Sequence, residues 1–125
     1  VAIDFNHTIV NVTDQKESAR FVADILGLPE PGTFGPFTVV ELGNGVNLDF
    51  MTTEGDLPRQ HYAFLVSEEE FDGIFERIKE RGVRYWADPH QETEGEINHN
   101  YGGRGVYFED PSGHYLEAIT APYAE

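Results

Sequence analysis

Asp110-Pro111-Ser112-Gly113-His114-Tyr115-Leu116-Glu117-Ala118-Ile119-Thr120 reads as a tight turn running into a strand that carries one carboxylate in an apolar run. In a strand over 114–120, Tyr115, Glu117 and Ile119 project to one face and Leu116 and Ala118 to the other, because side chains alternate with period two. A carboxylate in such a run needs a partner, since burying it without a cation or donors is costly. The candidates are a metal ion, an Arg or Lys, or solvent at the rim of a cavity. The simpler alternative is a sheet-edge glutamate facing water.

Working outward, Gly105 to Glu109 forms a hairpin with this strand, preceded by a polar loop from Asp88 to Tyr101 and a short strand from Val83 to Trp86. Before these, His61 to Val66 reads as a strand, and Ser67 with Glu70 as a capping box. The helix they open has Phe71, Ile74, Phe75 and Ile78 on one face and stops at Gly82. The same order stands earlier in the chain. Residues 3–12 read as a strand, Asp14 with Glu17 as a capping box, and Ser18, Phe21, Val22 and Ile25 as a helix face ended by Gly27 and Pro29. Phe37 to Leu42 and Val46 to Thr52 then form a hairpin around Gly43-Asn44-Gly45, and Thr53 to Pro58 is a polar linker. The paired positions Ser18/Phe71, Phe21/Ile74, Val22/Phe75 and Ile25/Ile78 all stand 53 residues apart. Laying Gly45–Thr52 over Gly113–Thr120 sets Asp49 on Glu117, and His7 falls on His61. The chain therefore repeats an α+β unit, at about 1–55 and 60–125, within an expected single domain over 1–125.

Composition narrows the chemistry. The chain has 125 residues, enough for one domain, and nine Phe and six Tyr supply much of its core. The absence of Cys excludes disulfides, thiolate metal sites and cysteine nucleophiles. Any metal must use His, Asp, Glu or water. A formal charge of −15 opposes nucleic acid and anionic membrane as partners and leaves small neutral or cationic ligands and divalent cations. No apolar run reaches a membrane span, and the opening residues lack the pattern of a signal peptide, so a cytoplasmic location is expected.

Each His has an ordinary reading as a packed strand residue. The duplication changes the reading, because two imidazoles and a carboxylate supply an open, thiolate-free site for a divalent metal and leave positions for water or substrate. His7, His61 and Glu117 are the candidate ligands. Asp49 is a fourth, one methylene shorter than Glu117 and able to reach a metal through water. In the neighbourhood, the loop Asn98-His99-Asn100-Tyr101 and Tyr107 offer hydrogen-bonding and acid–base groups.

Asn6-His7-Thr8-Ile9-Val10, Gly45 to Phe50, His61-Tyr62-Ala63-Phe64, Gly103 to Phe108 and Asp110 to Glu117 together resemble the vicinal oxygen chelate superfamily. That superfamily includes glyoxalase I, extradiol dioxygenases, methylmalonyl epimerase, fosfomycin-modifying enzymes and bleomycin-resistance binding proteins. The resemblance covers essentially the whole chain. It implies paired βαβββ modules forming a cup-shaped mixed sheet with helices outside, and a divalent metal (Fe, Mn, Zn, Ni or Co) on His7, His61, Glu117 and Asp49. Two features depart from the pattern. Asp49 replaces a commoner Glu or Gln, and a Pro- and Gly-rich passage at 29–36 stands where a first-module strand belongs.

The expected function is a metal-dependent enzyme of lyase, isomerase or dioxygenase type that polarises vicinal oxygens of a small organic substrate. Glu117, Tyr107 and His99 are its candidate catalytic groups. The alternative is a metal-free protein that sequesters an aromatic or cationic drug, as bleomycin-resistance proteins do. Phosphonate chemistry is disfavoured, because few of the eight basic residues lie near the ligand strands. Open sheet edges favour a twofold homodimer.

Overall fold

Two βαβββ modules make up the α+β fold seen in a computed structural model that describes residues 2–122. Val1 and residues 123–125 of the expected span lie outside the described residues. The chain divides into two compact units between Pro58 and Arg59.

The first module runs β1 (His7–Val12), α1 (Gln15–Leu26), β2 (Gly32–Phe34), β3 (Phe37–Glu41) and β4 (Asn47–Thr52), with sheet order β1-β4-β3-β2. Parallel strands need a crossover connection, and α1 supplies it between β1 and the parallel β4; the other pairs are antiparallel. Asp14 Oδ1 accepts from the amides of Lys16 and Glu17, which satisfies two of the helix's opening donors. Ser18, Val22 and Ile25 are buried, as their helical spacing requires, and they share the core with Val10, Val12, Val40, Leu48 and Phe50.

The second module runs β5 (His61–Leu65), α2 (Glu68–Glu80), β6 (Tyr85–Trp86), β7 (Gly105–Glu109) and β8 (Tyr115–Ile119), in the matching order β5-β8-β7-β6. Its helix has the reciprocal capping box, in which Ser67 Oγ accepts from the Glu70 amide and Glu70 Oε1 accepts from the Ser67 amide. Phe71, Ile74 and Ile78 are buried with Trp86, Val106, Phe108, Leu116 and Ala118.

Two expectations change. Strand β1 begins at His7 rather than at residue 3, because its partner β4 begins at Asn47, directly opposite His7. The last rung is the Asn6 carbonyl accepting from the Asn47 amide, and Ile3 and Phe5 beyond it are exposed. The Pro- and Gly-rich passage does contain a strand. Three residues, β2, pair with β3, a contact that a short run rich in breakers does not announce.

The turn into β8 is built on Asp110. Its Oδ1 accepts from the amides of Ser112 and His114, while Gly113 adopts a φ of 93° that other residues rarely take. None of the helices among the described residues is long and apolar enough to cross a membrane.

Candidate metal centre

Both modules set their carboxylate on the middle rung of the same ladder. Asp49 lies between Ile9 and Val39, and Glu117 between Ala63 and Tyr107. Each His sits on the first strand, one rung along that face. His7 stands opposite Asn47, two residues before Asp49, and His61 opposite Tyr115, two residues before Glu117. Strand parity then separates the faces: Leu48, Phe50 and Leu116 are buried with the core, and the His and carboxylate residues occupy the alternate positions.

In the first module His7 and Asp49 line a cavity of about 680 Å³, together with Asn6, Asn47, Glu41 and Phe34. The exposed His7 donates from Nδ1 to Asn6 Oδ1 at 2.7 Å. Asp49 is only 7% exposed and accepts no hydrogen bond among the described residues. Among the described residues no buried side-chain oxygen is left without a partner, so the Asp49 carboxylate opens onto the cavity, where water, a cation or a polar ligand can meet it.

The second module is arranged differently. His61 Nε2 lies 2.9 Å from Glu117 Oε1, and an ionised carboxylate can only accept, so Nε2–H is the donor. Glu117 is 2% exposed, whereas the His61 ring is about half-exposed and tilts toward Tyr107, with ring centroids 6.2 Å apart. Glu117 and Tyr107 line a small cavity of about 90 Å³ with Asn98, Asn100, Tyr101 and Arg104. Tyr101 holds a left-handed backbone, φ 57° and ψ 27°, rare for an aromatic residue and of the sort that concentrates at functional sites. The neighbouring His99 is exposed in the same loop and is not among the residues lining this cavity.

Arg104 brings a positive charge to this cavity but spends its hydrogen bonds on α2. Its guanidinium donates to Glu68 Oε1 at 2.8 Å and to the Glu68 carbonyl at 3.1 Å, and pairs with Asp72 Oδ1 at 2.9 Å over the ring of Phe71. Those bonds, first to Glu68 and then to Asp72, hold its pKa above the ordinary arginine value. Nothing in the Gly103-Arg104-Gly105 run announces this role for Arg104, because its partners stand on α2. The glycines signal close packing instead. A Cβ at position 103 would meet the Thr120 hydroxyl at 2.5 Å, and one at 105 would meet the Asn98 amide at 2.9 Å, so the chain packs tightly on both sides of Arg104.

Among the described residues, no three His, Asp or Glu side chains form a ready metal cage. The candidate ligands occur as two pairs, one in each module. Their chemistry fits a divalent cation: neutral imidazole nitrogen with carboxylate oxygen suits Fe, Mn, Zn, Ni and Co. The 2.9 Å between His61 Nε2 and Glu117 Oε1 also fits. Two donors each about 2.1 Å from one cation and at right angles lie about 3 Å apart.

Comparison with known proteins identifies the family of the fold. A family model described as the Glyoxalase/Bleomycin resistance protein/Dioxygenase superfamily matches residues 4–118. The solved structure of Oxidase ChaP-H1 is 59% identical, covers 99% of this chain and 100% of its own, and superposes with a TM-score of 0.96. Oxidase ChaP-H2 is 58% identical, with 100% of this chain and 98% of its own covered and a TM-score of 0.97. Glutathione transferase FosA from Serratia marcescens is 30% identical over 118 residues, which span 90% of this chain and 77% of that protein.

Proposed function

Since the chain belongs to the glyoxalase, bleomycin resistance protein and dioxygenase superfamily, we propose that it is a divalent-metal enzyme of the oxidase type, acting on a small organic substrate with vicinal oxygens. The observation that carries this reading is the 59% identity, over nearly the whole of both chains, to a protein named an oxidase. It favours oxidation over lyase or isomerase chemistry.

The metal ligands in this reading are His7, His61 and Glu117, with Asp49 as the fourth. A bound divalent cation would polarise the substrate's neighbouring oxygens and ease proton loss from a hydroxyl. The remaining work belongs to side chains. Glu117, buried at the middle of β8, takes a substrate proton, and Tyr107 on the adjacent strand holds the neighbouring oxygen by its hydroxyl. His99 serves from the loop as a polar contact rather than as a cavity wall. Glu30, Glu41 and Asp49 give the larger cavity an acidic lining, and the Arg at the smaller one is already paired, so both disfavour a phosphonate substrate.

A twofold homodimer completes the reading. Strands β1, β2 and β5 lie at sheet edges and carry the exposed apolar side chains Ile9, Phe34 and Leu65, surface that a second copy would cover. The alternative, metal-free drug sequestration, draws on the larger cavity, with its acidic lining and Phe34.

Elemental analysis of protein purified without added metal, followed by an oxygen-electrode assay of metal-loaded protein against catechols and hydroxyketones, tests the reading. Stoichiometric metal and metal-dependent oxygen uptake are expected. Failure to bind Mn²⁺, Fe²⁺ or Zn²⁺ at any concentration up to millimolar would overturn the reading in favour of sequestration.

A further inference from the structure

We propose that Asn6 is a positioning residue that holds His7 in the tautomer needed for a metal ligand, an inference that rests on the metal reading above. The observation is the 2.7 Å contact between His7 Nδ1 and Asn6 Oδ1. A carboxamide oxygen accepts only, so with Oδ1 facing the ring the proton sits on Nδ1, and Nε2 keeps its lone pair. That lone pair has no partner among the described residues.

Asn6 is well placed for this task. Its carbonyl accepts from the Asn47 amide at 2.9 Å, so its backbone is tied to β4 even though its side chain is exposed. Asn6, His7, Asn47 and Asp49 line one cavity, which puts the oriented imidazole and the unpartnered carboxylate on the same space. Ligating imidazoles generally donate their second N–H to such an acceptor, which fixes ring orientation and raises ligand basicity.

The other module makes the contrast that singles Asn6 out. His61 meets Glu117 through Nε2, at 2.9 Å, rather than through a neighbour on Nδ1. The residue before it, Gln60, uses its backbone amide to bond His114 Nδ1. His7 is thus held ready to bind through Nε2, while His61 must first give up its bond to Glu117.

The test reads tautomers and metal affinity separately. Long-range proton–nitrogen NMR of the metal-free protein should show His7 protonated on Nδ1 and His61 on Nε2. In Asn6→Ala the His7 signal should move toward the Nε2–H form while His61 stays as it was. Titration with Mn²⁺ alone should show a loss of affinity of about 10- to 100-fold in Asn6→Ala. Asn6→Asp, which restores an acceptor, should recover both the tautomer and the affinity. Wild-type His7 protonated on Nε2 would overturn the inference. So would unchanged Mn²⁺ affinity in Asn6→Ala while His7→Ala loses it, an outcome that leaves the metal reading intact. If His7→Ala also binds Mn²⁺ as wild type does, His7 is no ligand, and the metal reading and this inference fail together.

Discussion

The first module sets a short, unpartnered carboxylate on a wide cavity, and the second sets a longer one against a histidine beside a narrow cavity. Rung by rung the two ladders correspond, and both carboxylates are buried. The difference is one methylene and what it reaches. Glu117 extends far enough to meet His61 on the neighbouring strand, whereas Asp49 meets no donor among the described residues. Duplication therefore preserved backbone register while the two halves diverged into an open pair and a self-satisfied pair.

The largest expected effect breaks that comparison at its ligands. Glu117→Ala and His61→Ala should each lower Mn²⁺ affinity by about 100-fold or more, whereas Asp49→Ala, reaching a metal through water, should cost about 10-fold, in the range of residues one step removed from a metal. Calorimetric titration of the three variants measures it. Equal losses from Asp49 and Glu117 would mean that the halves bind alike despite their different hydrogen bonding.

Cores come next. Phe50 on β4 and Phe108 on β7 are each fully buried, one in each module, and truncating either to Ala should cost about 3–5 kcal/mol. Urea melts followed by tryptophan fluorescence and by circular dichroism decide whether both fall on one transition. Trp86 reports only on the second module, so probes that disagree for Phe50→Ala would reveal modules that unfold separately.

The smallest effects lie at the helix starts. Ser67→Ala removes one bond of a reciprocal pair and should cost about 1 kcal/mol, similar to Asp14→Ala. Acid should loosen the same turn of α2. The Ser67 amide and then its hydroxyl hold the Glu70 carboxyl below its ordinary pKa, and the Thr120 hydroxyl and then Arg104 do the same for Glu68. A depressed carboxylate pKa adds stability above the unfolded value, near 4.3, that is lost as pH falls through the lower folded value. Amide exchange in residues 68–72 should therefore quicken as pH drops from about 5 to about 2, beyond the intrinsic rate change. Parallel behaviour in Glu70→Gln would show that the carboxyl is not responsible.

Much of the fold was legible because it rests on local chemistry. The turn at Asp110–His114, the two capped helices and the alternation of Leu48, Phe50 and Leu116 with the carboxylates follow from spacing alone, and the family match bears out the resemblance. Two features escaped because they depend on a distant partner. Strand β2 exists only through its pairing with β3, and the end of β1 was set by where β4 begins. For the site, the sequence placed His and carboxylate on matching strands but could not tell that Glu117 would be bonded to His61 while Asp49 would not. Nor could it foresee that Arg104 would be drawn onto Glu68 and Asp72, since those residues stand more than 30 positions away.

The glycines around Arg104 bear on how such a protein can diverge. A side chain at position 103 would run into Thr120 and the Ala121 backbone, and one at 105 would displace the Asn98 side chain from the Ala87 carbonyl, so the loop that borders Glu117 is held close on both sides of Arg104. Inherited change is thereby channelled into the stretch between those anchors. Asn100 and Tyr101, which stand between Asn98 and Gly103 and line the Glu117 cavity, are where substitution would alter what approaches the carboxylate while leaving the strand that bears it in place.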